Sequence, residues 1–198
     1  MSIELGLLAN IFNELSRMGL LSVSHISDVV NLTGATADYE LQVGQIAYIS
    51  FTNVTQVPLH IATPNNSYYE LHVIPSNTGG TSGGTAGVVF LYPNNTTYSN
   101  SFYCAEIWQN SNGLGSGYTQ FSAFKIGFAI SCITAWVTNR TQYKNVRCLT
   151  DNYGISTDWP VVATLSTDWR DTSTAWTSLG TIVFPQSTSG EILVFRAR

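Results

Sequence analysis

The stretch VPLHIATPNNSYYELHVI, residues 57–74, decides how the rest of the chain is read. On either side of Pro64-Asn65-Asn66-Ser67 the apolar residues recur every second position, Leu59 with Ile61 and Leu71 with Val73. Period two is the signature of a half-buried strand, and Pro-Asn-Asn-Ser is turn chemistry. The stretch therefore reads as strand, turn, strand. Centred on Asn66, a hairpin would set His60 directly opposite His72, with Glu70 on the same face and Leu59, Ile61, Leu71 and Val73 towards the core. Two imidazoles and a carboxylate so placed could hold a metal or respond to pH. A polar solvent face is the plainer reading and is adopted, because a metal site needs a third ligand and oriented outer partners.

The same grammar continues outward in both directions. Short β-branched and aromatic runs cover Val23 to Val30, Tyr39 to Val43, Gln45 to Thr52, Val57 to Thr63, Tyr68 to Ile74, Val88 to Tyr92 and Ser101 to Trp108. Further runs are Thr119 to Lys125, Phe128 to Val137, Tyr143 to Leu149, Val161 to Leu165, Thr181 to Phe184 and Glu191 to Phe195. Breaks fall at 64–67, in the Gly/Thr/Ser segment 76–87, at Pro93-Asn94-Asn95 and at 110–117. This density of strands predicts an all-β fold, an antiparallel β-sandwich or jelly roll, as one domain over 22–198.

One segment keeps a different period. Leu8, Ile11, Leu15 and Met18 are spaced three, four and three apart, and Ile3, Leu7 and Phe12 widen the stripe. Ser2 suits the cap of such a helix and Gly19 its stop. The expectation is a short N-terminal amphipathic helix within residues 1–21, used for oligomerisation or docking, or else packed on its own β-domain.

Composition narrows the function classes. Of 198 residues only 20 are charged, 8 basic and 12 acidic, or 10% where about 25% is usual. A net charge of -4 and a pI near 5.2 argue against nucleic acid as a partner. Between Arg17 and Lys125 there is no basic residue. So sparse a charge repels neighbouring copies weakly and favours assembly. The start Met1-Ser2-Ile3-Glu4 lacks the basic and apolar regions of a secretory signal, and no run reaches the ~20 apolar residues of a membrane helix. Neither secretion by that route nor membrane insertion is expected. Cys104, Cys132 and Cys148 have no metal or redox spacing and read as reduced thiols. Sequons at Asn31, Asn53, Asn65, Asn94, Asn95 and Asn139 read as a by-product of an Asn/Ser/Thr-rich surface.

Two patterns imitate active sites. Gly80-Thr81-Ser82-Gly83-Gly84 matches G-x-S-x-G, but a strand rather than a helix follows it, so no nucleophile is assigned. Ser156-Thr157-Asp158-Trp159 recurs as Ser166-Thr167-Asp168-Trp169, with Trp176 nearby. A glycosidase would need such a carboxylate pair and sugar-stacking rings. Two similar turns at strand ends explain the repeat without chemistry. Between these readings stands a non-catalytic glycan surface, with Trp159, Trp169 and Trp176 as its contacts. No catalytic residue, cofactor or metal is assigned.

Two segments carry a resemblance. Val88-Val89-Phe90-Leu91-Tyr92-Pro93-Asn94-Asn95-Thr96-Thr97-Tyr98-Ser99 is one. The other is Trp176-Thr177-Ser178-Leu179-Gly180-Thr181-Ile182-Val183-Phe184-Pro185-Gln186 with Ser189-Gly190-Glu191-Ile192-Leu193-Val194. They resemble small β-rich proteins encoded among the virion genes of tailed bacteriophages. The resemblance implies a non-enzymatic virion protein, tail- or fibre-associated or a head decoration protein, made in the bacterial cytoplasm. It implies partners among the other virion proteins and copies of the chain itself, a homotrimer in particular. A host-surface glycan is the partner in the second reading, a receptor-recognition module, and a glycoside-cleaving or metal-dependent enzyme is the third.

Overall fold

The computed structural model describes residues 29–77, 88–98, 101–110, 113–128, 131–152 and 162–198. Those residues are all-β. Eleven strands run in chain order: β1 (Val29–Asn31), β2 (Ile46–Pro58), β3 (Ser67–Asn77), β4 (Val88–Tyr92), β5 (Phe102–Asn110) and β6 (Gly113–Phe121), then β7 (Phe124–Phe128), β8 (Ser131–Arg140), β9 (Tyr143–Asn152), β10 (Val162–Trp169) and β11 (Thr181–Arg196). The N-terminal helix and its stripe of Leu8, Ile11, Leu15 and Met18 lie outside the described residues. No helix among the described residues is long and apolar enough to cross a membrane.

A broad sheet has the order β1-β2-β11-β3-β8-β9-β10-β5-β6. Every pairing is antiparallel except β1 with β2. A smaller layer lies against it. The first residues of β11, 181–183, pair with the end of β2 on one side and with β4 on the other, and β4 pairs with β7. The long strands β2 and β11 thus belong to both layers. The corner is written in residues that disturb a ladder: the register slips between Val183 and Gly190, Pro185 sits in the slip, and Asn53 has φ 54°. Phe51 stacks on Phe184 at 5.3 Å inside the bend. Gly190 has to be glycine there, since a Cβ would come within 2.4 Å of the Ile74 carbonyl oxygen.

The sequence puts Thr181–Phe184 and Glu191–Phe195 in two strands. They are one strand with bulges, because a bend interrupts the hydrophobic alternation without ending the pairing. In the other direction, Thr119 to Lys125 divides into β6 and β7 about Ser122-Ala123. The hairpin of β2 with β3 is corrected. β11 occupies the slot between them, with Phe195 opposite Ile46 on one side and Glu70 on the other. The turn at 65–66 therefore belongs to a connection that steps across β11, and His60 and His72 do not face each other.

The core lies between the two layers. Leu59, Ile61, Leu71 and Val73 are all fully buried, as their parity requires. β7 approaches the broad sheet so closely that a Cβ on Gly127 would lie 2.7 Å from Ile133 Cδ1. Buried Lys125 on β7 and partly buried Glu106 on β5 form an ion pair between the layers.

Candidate binding face and open edge

The residues singled out by sequence separate into three groups. Trp159, Asp158 and Gly80–Gly84 lie outside the described residues. Trp169 and Trp176 are in the core, 3% and 2% exposed. Trp176 stacks on Phe124 at 4.8 Å and Trp169 on Phe102 at 5.3 Å, so these two rings offer no face to a sugar and the expectation that they bind glycan is corrected. The physical reason is their parity: Trp169 continues the inward series Ala163, Leu165, Thr167 of β10. His60, at φ 51°, follows β2 and stands 3.6 Å from Asp38. His72 Nε2 is 2.7 Å from Glu70 Oε1, and its Nδ1 is 3.3 Å from Thr134 Oγ1. Glu70 and His72 are thus same-face neighbours as expected. No three His, Cys, Asp or Glu side chains come together as a metal set among the described residues.

The two segments that carry the resemblance, far apart in sequence, clasp each other. Asn94 Oδ1 accepts the backbone N–H groups of Thr177 and Ser178, and its Nδ2 donates to the Ala175 carbonyl at 2.8 Å. Asn94 and Asn95 both hold positive φ, 54° and 55°, which asparagine tolerates better than most residues. Gly180, at φ 91°, passes so close to Tyr92 that any Cβ would overlap the Tyr92 carbonyl oxygen.

Around this clasp the loop 171–178 is pinned from beneath. The Lys144 ammonium donates to the Asp171 and Thr174 carbonyls and lies 4.4 Å above the Trp169 ring. Burial pulls its pKa down. Hydrogen bonds from the side chains of Ser173 and Thr174 hold the Asp171 carboxyl below the usual carboxylate range. Buried Asn139 donates to the carbonyls of Thr63 and Trp176, so the sequons at 94 and 139 are internal ties. Most polar groups here are spent on the fold; the Ser178 hydroxyl and the Trp169 indole N–H are buried without a hydrogen-bond partner.

The outer face of the broad sheet is built differently. Rows run across it in register. Tyr48, Leu193, His72, Thr134, Leu149, Thr164, Ile107 and Ser116 make one; Ile46, Phe195, Glu70, Trp136, Arg147, Ser166, Ala105 and Tyr118 make the next. Towards β2 the face closes over a small cluster, with Ile46 and Leu193 buried. Beyond β3 it opens. Trp136 and Tyr143 are each 45% exposed, and Leu149 is 44%. Together with Tyr68, Thr138, Arg140 and Arg147 they line a shallow hollow of about 740 Å³ over β3, β8, β9 and β10. The Arg140 guanidinium lies 5.3 Å from the Tyr68 ring centre. Arg147 is exposed and makes no hydrogen bond or ion pair among the described residues.

The sheet ends on β6. Among the described residues nothing pairs with the far side of this strand. Its sequence, GLGSGYTQF, contains no charge and no proline. Leu114 is 78% exposed and Tyr118 61%, and Ile107 on the adjoining β5 is 56%. Sequence reasoning missed both the hollow and this edge. The signal for the first was available: Ile133, Ala135 and Val137 fix the inward parity of β8, which leaves Trp136 out of phase. The stretch 110–117, full of Gly, Ser and Asn, reads as a break, and it forms most of β6 only because β5 templates it residue by residue.

No family model matches the sequence, and neither a curated protein nor a solved structure shows significant similarity to it.

Proposed function

We propose that the chain is a non-enzymatic structural protein of a bacteriophage particle, which works by assembling with copies of itself and docking to neighbouring particle proteins. The observation that carries this reading is the edge at β6, which is unpaired among the described residues. Exposed strands in proteins that stay apart are short, charged, bulged or interrupted by proline, because a row of free N–H and C=O groups recruits another strand. β6 has nine residues and none of these protections. Its exposed Leu114 and Tyr118, beside Ile107, add apolar contact to the available hydrogen bonds.

A joint of β6 with a different edge of a second copy runs head to tail and closes into a ring where the rotation from copy to copy divides a full turn. The trimer implied by the resemblance is the smallest such ring. A β6-to-β6 joint would instead stop at a two-fold dimer. The segments behind the resemblance support the reading indirectly, since in this chain they form the clasp that joins the layers and belong to the scaffold.

Light scattering of the full chain tests the proposal. The wild type should exceed its monomer mass of 21.6 kDa, at three times that value for the trimer. Leu114→Lys with Tyr118→Lys should return it to 21.6 kDa as a chain that keeps its β-sheet circular dichroism and unfolds cooperatively, because both positions are exposed in the single chain. A wild type that stays monomeric at high micromolar concentration would sink the assembly reading. Mass spectrometry of purified particles decides the virion assignment: the chain must be present in stoichiometric amounts.

A further inference from the structure

We infer that the hollow over β3, β8, β9 and β10 is a binding site for an acidic saccharide, with the Arg147 guanidinium taking the sugar carboxylate and Trp136 and Tyr143 supporting the ring. The charge distribution favours an anion. The chain has 12 acidic and 8 basic residues, yet the side chains lining the hollow include two arginines and no acid. The acids close by are engaged, Glu70 with His72 and Asp168 with Asn145 Nδ2 at 2.7 Å. Arg140 rests against Tyr68, which leaves Arg147 as the guanidinium able to offer its fork of donors. Such a fork matches a carboxylate in two parallel hydrogen bonds.

Shape and polarity then favour a sugar. Half-exposed aromatic rings in a shallow, water-filled hollow suit a ligand with one apolar C–H face and a rim of hydroxyls. Trp136 and Tyr143 supply the flat surface, and the Thr138 and Thr164 hydroxyls supply small donors and acceptors beside it. A polyphosphate chain would need a long run of cations, which the face lacks. β5 lies between the hollow and β6, and none of the residues lining the hollow is on β6, so binding here does not depend on the assembly proposed above.

The test titrates the full chain with sialyllactose and with a galacturonate tetramer, each against its uncharged counterpart, lactose and a galactose tetramer, reading tryptophan fluorescence and calorimetry. Saturable binding of at least one acidic probe is expected, roughly tenfold or more tighter than its neutral partner. Arg147→Gln should remove that preference, Arg147→Lys should keep part of it, and Trp136→Ala should abolish binding, all at unchanged melting temperature and unchanged oligomer mass. No saturable binding of either acidic probe up to about 10 mM overturns the proposal. So does equal binding of acidic and neutral probes, or binding indifferent to Arg147→Gln. If the substitutions dissociate an oligomer instead, the face is a contact between copies and the saccharide assignment fails.

Discussion

Lys144 and Arg147 stand three residues apart on β9 and do opposite things. Lys144 points inward, is 3% exposed, and spends its charge on two loop carbonyls and the Trp169 ring. Arg147 points outward, unpaired among the described residues, next to the exposed Trp136. The tryptophans divide in the same way. Trp169 and Trp176 fill the core beneath the clasp, and Trp136 lies half open on the sheet. The residue types alone do not separate structure from recognition. An odd or even step along a strand does, because side chains alternate between faces.

The contrast can be broken most severely at the clasp. Trp176→Ala removes a ring stacked on Phe124 together with the indole N–H donated to the Ser178 carbonyl at 2.6 Å. A loss of about 3–5 kcal/mol is expected, a large share of the roughly 5–15 kcal/mol that holds a domain together. Chemical denaturation checks it. A shift below about 1 kcal/mol would mean that the inner tryptophans are as dispensable as the outer one.

A smaller effect should appear as a dependence on pH. Asp171 is acidified in the folded chain by Ser173 and Thr174, so its contribution is present above its unfolded pKa of about 3.9 and is lost as pH falls from there through the lower folded value. Asp171→Asn should therefore flatten the decline of melting temperature below about pH 4. An unaltered acid limb would show that the hydrogen bonds around Asp171 do not hold the loop. Lys144 is coupled in the same direction at the alkaline end of the scale. Its lowered pKa makes stability rise as the pH climbs through its folded value towards about 10.4.

The outer face should give the smallest change. Trp136→Ala and Arg147→Gln are each expected to alter stability by no more than about 0.5 kcal/mol, since neither side chain is packed into the core. Thermal melts of the two variants beside Trp176→Ala put the comparison on one scale. A cost near that of Trp176→Ala would show that the outer tryptophan belongs to the fold.

Much of this was legible in the chain before any coordinates. Period-two runs marked most of the strands, down to the limits of Val88–Tyr92, and the parity of Leu59, Ile61, Leu71 and Val73 marked their buried side; Tyr39 to Val43, expected as a strand, makes only a single bridge at Tyr39, and the run from Val57 leaves its strand after Pro58. Turn residues marked Pro93-Asn94-Asn95 as a break, and the structure places a 3₁₀ turn there. These signals are local, set by a residue and its near neighbours. Pairing is another matter. The 57–74 stretch reads as a hairpin because its symmetry about Asn66 is good, but β11, more than a hundred residues away, pairs with β2 over ten positions and with β3 over eight and so takes the slot between them. Sequence could not weigh that competition. It also could not say which tryptophans are covered, since burial depends on whether a second layer lies above, and β4 and β7 cover only the inner face. Composition and alternation determined an all-β chain with sparse charge. Tertiary structure alone decided that the far side of β6 goes unpaired among the described residues and that Arg147 faces out beside Trp136, because both are set by what remains after distant strands have chosen their partners.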